Sequence, residues 1–332
     1  MRHTFQCLDG HTCGNPVRLI SGGAPLLRGA NMSEKRQDFI GRHDWIRQAL
    51  MFEPRGHDMM SGGFIYPPCS DDADAAILFV ETSGALPMCG HGTIGLVTMA
   101  LENGLITPRD KTRLVLDVPA GRIEVAVEWK GGLVESVRLF NIASYLAETE
   151  VKIDCPGLGE LVFDVSYGGN YYAVLEPQKN YPGLDDFSAS DIQTYSPIIR
   201  DLANQAVQCV HPEDSSVGGV SHLLWADTAK HPEADARNAV FYGARGIDRS
   251  PCGTGTSARM AQLAARGELK VGDDFVHESI IGSLFHGRVE KAARVGGFDA
   301  IEPSIGGWAR QTGINTIFVD DRDPYKCGFV LG

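Results

Sequence analysis

The sequence predicts an α/β protein of two pseudo-symmetric halves, each a sheet curved around one apolar central helix. Three observations carry this. A short motif occurs twice, as Cys89-Gly90-His91-Gly92-Thr93 and as Cys252-Gly253-Thr254-Gly255-Thr256; from position 89 to position 252 the separation is 163 in a chain of 332 residues. Each copy follows a run that reads as a buried strand, Ala76-Ile77-Leu78-Phe79-Val80 and Ala239-Val240-Phe241-Tyr242. Each copy also precedes a run that reads as a helix, residues 94–102 ending at Asn103-Gly104 and residues 257–266 ending at Gly267. Glycine is the expected residue just past a helix end.

Both predicted helices are rich in Ala, Leu and Met and apolar around much of their circumference, which is the pattern of a helix buried on all sides. Most of the remaining chain reads as strands. Residues 114–118, then Ile123, Val125, Val127 and Trp129 alternating with polar neighbours, then a Lys130-Gly131-Gly132 turn and Val137 and Leu139 describe a meander. Residues 161–175 and 314–319 add further strands. The expected border lies near residue 125, giving a first half over 1–125 with Cys89 and a second over 126–332 with Cys252. The C-terminal strand is free to return to the first half.

Composition narrows the function classes. Hydrophobic residues make up 43% and charged residues 22%, with no low-complexity run, so the chain has the material for two packed cores. The net charge is -12 and the basic residues are scattered, which argues against a nucleic-acid partner. No segment approaches the ~20 apolar residues of a membrane span and the N-terminus lacks the apolar stretch of a signal peptide, so a cytoplasmic protein is expected. The eight cysteines are irregularly spaced and form no C-x-x-C pair, a pattern that fits neither a disulfide scaffold nor a zinc ribbon.

An isolated cysteine in such a protein is ordinarily a small buried hydrophobe. Two cysteines in matched glycine-rich helix starts ask for a different explanation. A thiol at a helix N-terminus feels the partial positive charge of the first-turn N–H groups, which can bring its pKa from ~8.5 into the range ~3.5–7.5. The flanking glycines let the same amides approach and bind a carboxylate. Two such motifs meeting across a cleft would set one sulfur on each face of a bound carboxylate ligand. One thiolate would then take the proton from Cα while the opposite thiol delivers another, and the amides would stabilise the developing negative charge. This scheme calls for no metal and no organic cofactor.

Other polar residues are candidates of lower specificity. His91 sits inside the first motif, and Asp248 lies four residues before Cys252, where a carboxylate can meet an ammonium or form a turn with its neighbours. The His57-Asp58 pair has no metal-ligand spacing and reads as structural, and His286 is left without a role.

Met88-Cys89-Gly90-His91-Gly92-Thr93 and Asp248-Arg249-Ser250-Pro251-Cys252-Gly253-Thr254-Gly255-Thr256-Ser257-Ala258 resemble the two signature segments of the proline racemase family, which includes the 4-hydroxyproline 2-epimerases. The resemblance extends to residues 9–16, to residues 53–60, to Tyr167-Gly168-Gly169-Asn170 and to Asp320-Asp321-Arg322-Asp323-Pro324, and so spans essentially the whole chain. It implies a diaminopimelate-epimerase-like fold of two domains closing on a small-molecule substrate, a homodimer, and no cofactor. It implies that Cys89 and Cys252 are the acid–base pair and that Gly90, His91, Gly253 and Thr254 hold the substrate carboxylate. Asp248 then meets the ring nitrogen, and His222 in Ser221-His222-Leu223-Leu224-Trp225 belongs to the pocket. Relatives that dehydrate trans-3-hydroxyproline usually carry threonine at the second cysteine position, so Cys252 points away from dehydration.

The activity the resemblance implies is conversion of trans-4-hydroxy-L-proline to cis-4-hydroxy-D-proline, with proline racemisation as the near alternative. The residues by themselves leave two other classes open: a Cys/His metal enzyme built on Cys89, His91 and Cys252, and a non-catalytic binding protein for small amino acids.

Overall fold

The computed structural model describes residues 1–331. By internal contacts the chain divides into a first unit, Met1–Leu139 with the segment from Gly307 onward, and a second unit, Phe140–Gly306. Residue 125, where the sequence placed the border, lies in the middle of a strand that is paired within the first unit, so the border moves to the 139/140 junction. The closing segment is part of the first unit, not of the second.

In the first unit β1 (Arg2–Thr12) and β2 (Asn15–Gly22) form an antiparallel pair, followed by α1 (Met32–Met51) and β3 (Ser61–Tyr66), which lies parallel to β2. β4 (Ala75–Glu81) runs antiparallel to β3 and to the short β5 (Gly84–Leu86). After α2 (Gly90–Glu102), β6 (Arg113–Val118) returns parallel to β4 and pairs with β7 (Gly121–Lys130), ahead of β8 (Leu133–Phe140).

The second unit repeats this order. β9 (Ser144–Cys155), β10 (Gly159–Tyr167) and β11 (Tyr171–Leu175) are antiparallel neighbours, and α3 (Ala189–Ala206) follows them. A small hairpin of β12 (Val210–His211) and β13 (Asp214–Gly218) leads to β14 (Val220–Asp227), parallel to β11. β15 (Ala236–Tyr242) runs antiparallel to β14 and to β16 (Gly246–Ile247). After α4 (Gly253–Ala265), β17 (Asp274–Glu278) returns parallel to β15, and β18 (Leu284–Val295) and β19 (Phe298–Gly307) complete the unit. The last strand, β20 (Ala309–Asp320), pairs with β1 in the first unit, as β9 pairs with β10 in the second.

The duplication visible in one short motif therefore covers a whole succession of elements. Every residue of β4 and of β15 is buried, as expected of strands covered on both faces. Residues 90–101 of α2 and 253–263 of α4 are likewise buried, so each motif opens a helix that runs through the core of its unit. Both helices begin four residues earlier than their apolar runs suggested, because the motif glycines, poor helix formers, supply the first turn.

The outer helices were not foreseen in the sequence. α1 is mostly polar and buries a sparse stripe of Met32, Phe39, Ile46, Ala49 and Leu50, so its apolar periodicity is weak. α3 carries Pro197 within its length, yet its start is marked by a capping box in which Ser188 and Asp191 satisfy each other's backbone N–H groups.

One buried polar cluster ties α4 to its sheet. His277 on β17 lies 2.9 Å through Nδ1 from Thr256 Oγ1 on α4 and 3.1 Å from Asn238 Nδ2 on β15. Asn238 Nδ2 also donates to the carbonyl of Pro251, at 2.8 Å. Burial, with Arg259 adding to it, pushes the His277 pKa down to about 3. The imidazole is neutral at pH 7 and gains a proton near pH 6.5 only when the chain unfolds. Between those values the unfolded chain binds more protons than the folded one, so stability falls as pH falls from about 6.5 toward 3. Denaturant titrations across that range are expected to show this acid destabilisation, and a His277→Gln variant is expected to show a flatter dependence from a lower starting stability.

Candidate active site

In the first unit Cys89 is the N-cap of α2, with extended backbone (φ -144°). The sulfur is buried, and its polar neighbours include Nδ1 of His91 at 3.6 Å and Oγ of Ser61 at 3.9 Å. His91 Nε2 lies 3.1 Å from Asn15 Nδ2, and its carbonyl accepts from Thr12 Oγ1 at 2.8 Å. With the Asn15 amide donating to Nε2, a neutral His91 carries its proton on Nδ1, directed at the sulfur. The β1–β2 pair thus positions the imidazole that serves Cys89.

In the second unit Cys252 is the N-cap of α4, and its sulfur accepts from the N–H of Gly255 at 3.4 Å. Its backbone has φ 65° and ψ 112°, a region that side-chain-bearing residues seldom occupy and that costs about 1–3 kcal/mol. The surrounding bonds hold it there: Cys252 N donates to Ser250 Oγ at 3.2 Å, and the Pro251 carbonyl is fixed by Asn238. The hydroxyl of Tyr172 lies 3.3 Å from the Cys252 sulfur and 2.6 Å from Thr254 Oγ1.

Burial pushes the Cys252 thiol up, and the negative charge of Asp248 pushes in the same direction. The Tyr172 hydroxyl, the Gly255 amide and the Thr254 hydroxyl work against this without overcoming it. The sequence anticipated a thiol lowered by the helix terminus; the helix terminus does supply a donor, but desolvation outweighs it. Burial also raises the thiols of Cys7, to about 12, and Cys209, to about 11, which lie in apolar surroundings away from either motif.

The glycines three residues after each cysteine have a role beyond amide exposure. A Cβ at Gly92 would stand 2.8 Å from the Cys89 sulfur, and one at Gly255 would stand 3.1 Å from the Cys252 sulfur. Glycine there makes the room in which each sulfur sits over its own helix start. The amides of Gly90 and His91, and of Gly253 and Thr254, belong to the first helical turns, whose N–H groups have no carbonyl partner within the helix.

The other candidates fall as follows. Asp248 is buried, and its Oδ1 accepts from both the N–H and the hydroxyl of Ser250, each at 2.8 Å, so it builds the turn that leads to Cys252. His222 is buried on β14, in register with Tyr172 of β11, with ring centroids 4.9 Å apart and Nδ1 2.7 Å from Ser221 Oγ. Both residues thus lie in the surroundings of Cys252. His57 accepts from Met59 N in a local turn. Among the described residues no group of three or more His, Cys, Asp or Glu side chains is arranged to hold a metal ion.

Tyr172, Asn170, Asn15 and Ser61 were missed as site residues. The signal for Tyr172 was available, because alternate residues of a strand share a face. Tyr172 and Val174 pack with Cys252, whereas Tyr171, Ala173 and Leu175 belong to a different core cluster.

The family model for proline racemase matches residues 7–330. A 4-hydroxyproline 2-epimerase of Shewanella loihica is 63% identical over 329 residues, 99% of each chain. A probable 4-hydroxyproline 2-epimerase of Rhizobium meliloti is 61% identical over 329 residues, again 99% of each chain. The crystal structure of a hydroxyproline epimerase from Agrobacterium vitis, with bound trans-4-hydroxy-L-proline, superposes with a TM-score of 0.90 at 30% identity, covering 99% of this chain and 95% of that one. With its motifs, its repeated fold and its relatives in agreement over nearly the full length, the chain belongs to the proline racemase family.

Proposed function

We propose that this protein epimerises trans-4-hydroxy-L-proline to cis-4-hydroxy-D-proline at Cα, without a cofactor, using Cys89 and Cys252 as the acid–base pair. The observation that carries the reading is the matched placement of two buried cysteines, each capping a core helix and each within reach of a hydrogen-bond donor to sulfur. The relatives named for hydroxyproline, at 61–63% identity over the full length, support that substrate over proline.

Inversion at Cα requires a base on one face and an acid on the other. In one direction Cys89 is the thiolate that accepts the α-proton, with His91 Nδ1–H stabilising the anion, and Cys252, kept protonated by burial, is the acid. In the other direction the roles exchange. The first-turn amides of Gly90, His91, Gly253 and Thr254 bind the substrate carboxylate and stabilise the negative charge that grows on it as the α-proton leaves. Asp248 takes the ring ammonium, and His222 completes the wall beside Tyr172. The family resemblance supports a homodimer working in the cytoplasm. No described helix is long and apolar enough to cross a membrane.

A metal enzyme built on Cys89, His91 and Cys252 would lose its activity on chelation, whereas the two-thiol reading expects none lost. Proline racemisation is separated by comparing kcat/KM for L-proline with that for trans-4-hydroxy-L-proline by polarimetry; a preference for proline would reassign the substrate.

Cys89→Ala and Cys252→Ala are each expected to lower kcat by about 10²–10⁴-fold or more with the circular dichroism spectrum retained. Near-normal turnover in both would exclude the mechanism. Gly92→Ala leaves the thiol in place but crowds it from 2.8 Å, and kcat is expected to fall about 10²-fold through displacement of the sulfur. Unchanged kinetics in that variant would show that the sulfur position is not constrained by Gly92.

A further inference from the structure

The two motifs differ at the position after the Cys-Gly pair. In the first copy His91 approaches its cysteine directly, with Nδ1 3.6 Å from sulfur. In the second copy Thr254 stands there, with Oγ1 3.9 Å from the Cys252 sulfur, and its short side chain does not supply an equally close donor. The gap is filled from another element. Tyr172, projecting from β11, places its hydroxyl 3.3 Å from the sulfur and 2.6 Å from Thr254 Oγ1. Asn170 Nδ2 approaches Thr254 Oγ1 at 3.5 Å. The tyrosine is fully buried among Val174, Leu224, Ala226, Val240 and Ala258, so its hydroxyl is held at the sulfur by packing of the ring.

We propose that Tyr172, backed by Thr254, is the switchable hydrogen-bond partner of the Cys252 sulfur, a positioning residue that serves both its thiol and its thiolate. The inference rests on the two-thiol reading for its purpose and on the geometry of the second unit for its existence. A hydroxyl both donates and accepts, unlike an amide N–H. With Cys252 as the thiol, S–H donates to Tyr172 Oη and the Tyr172 hydroxyl donates to Thr254 Oγ1. With Cys252 as the thiolate, Thr254 donates to Tyr172 Oη and Tyr172 donates to sulfur. The proton that sulfur loses goes to the substrate Cα and the one it gains comes from Cα; the hydroxyls turn and transfer none.

An acid–base cysteine that must work in both directions needs such a partner where burial alone would hold it in one state. The charged and titratable groups facing this sulfur come from several elements. Asp248 acts on it from the preceding loop and raises it, and Tyr172 acts from β11 and lowers it. His222 on β14 contacts the Tyr172 ring, and His277 on β17 meets the helix start through Thr256.

The test is the pH dependence of alkylation of Cys252 by iodoacetamide, read by peptide mass spectrometry on the full-length protein, with Cys89 as the internal reference. In Tyr172→Phe the midpoint for Cys252 is expected to rise by about one to two pH units, the loss of one hydrogen bond to an anion, while that for Cys89 stays. Thr254→Val, which removes the hydroxyl that backs Tyr172, is expected to raise the Cys252 midpoint in the same direction by a smaller amount. In turnover, Tyr172→Phe is expected to lower kcat about 10-fold with KM unchanged. A Cys252 midpoint at the wild-type value in both variants, or equal shifts at Cys89 and Cys252, would overturn the proposal. The alkylation readout needs no substrate, so it judges the hydrogen bond whether or not the wild-type protein inverts hydroxyproline.

Discussion

The site depends on one constraint: a cysteine sulfur must share the N-terminus of a buried helix with the amides of that helix's first turn. A large soft atom and a row of N–H groups compete for the same volume. Glycine three residues on resolves the conflict, since a Cβ there would press on the sulfur at 2.8 Å in one copy and 3.1 Å in the other. The spacing of the repeated motif is the imprint of this packing. Cysteine at the cap gives the thiol, glycine at the next residue begins the turn, and the second glycine leaves the sulfur its place.

The two copies satisfy the constraint differently, and the differences have physical costs. Cys89 keeps an ordinary extended cap and draws on His91, which Asn15 orients from the β1–β2 pair. Cys252 takes up a strained φ of 65° and accepts directly from its helix through Gly255. That strain is held by Ser250, by Asn238 at the Pro251 carbonyl and, through Thr256, by the buried His277. The rigid cluster below the second motif thus balances a conformation the chain would not adopt unaided.

Much of this was legible in the residues. The motif repeat located both helix starts to within one turn, and the all-apolar strands before them announced burial on both faces. What was not legible has identifiable reasons. α1 buries too few residues to show a helical stripe, and α3 contains a proline that argues against a helix. The domain border fell inside a meander because no linker composition marks the 139/140 junction. Asp248 and His222 are placed by resemblance, whereas Tyr172 is not, although in β11 it alternates with residues that pack into a different core cluster. The balance at Cys252 could not be read from sequence at all, since burial is a property of the packed unit and it outweighs the helix terminus.

The central claim, that two different thiols handle the proton on the two faces of Cα, is tested most directly by isotope incorporation. Purified protein is incubated with trans-4-hydroxy-L-proline in D₂O, and Cα deuterium is measured in product and in recovered substrate during the first few per cent of reaction. The account predicts that cis-4-hydroxy-D-proline carries deuterium from its first appearance while the recovered substrate remains protiated. Product that retains the substrate's protium would mean that one base both removes and returns the proton, and would contradict the account.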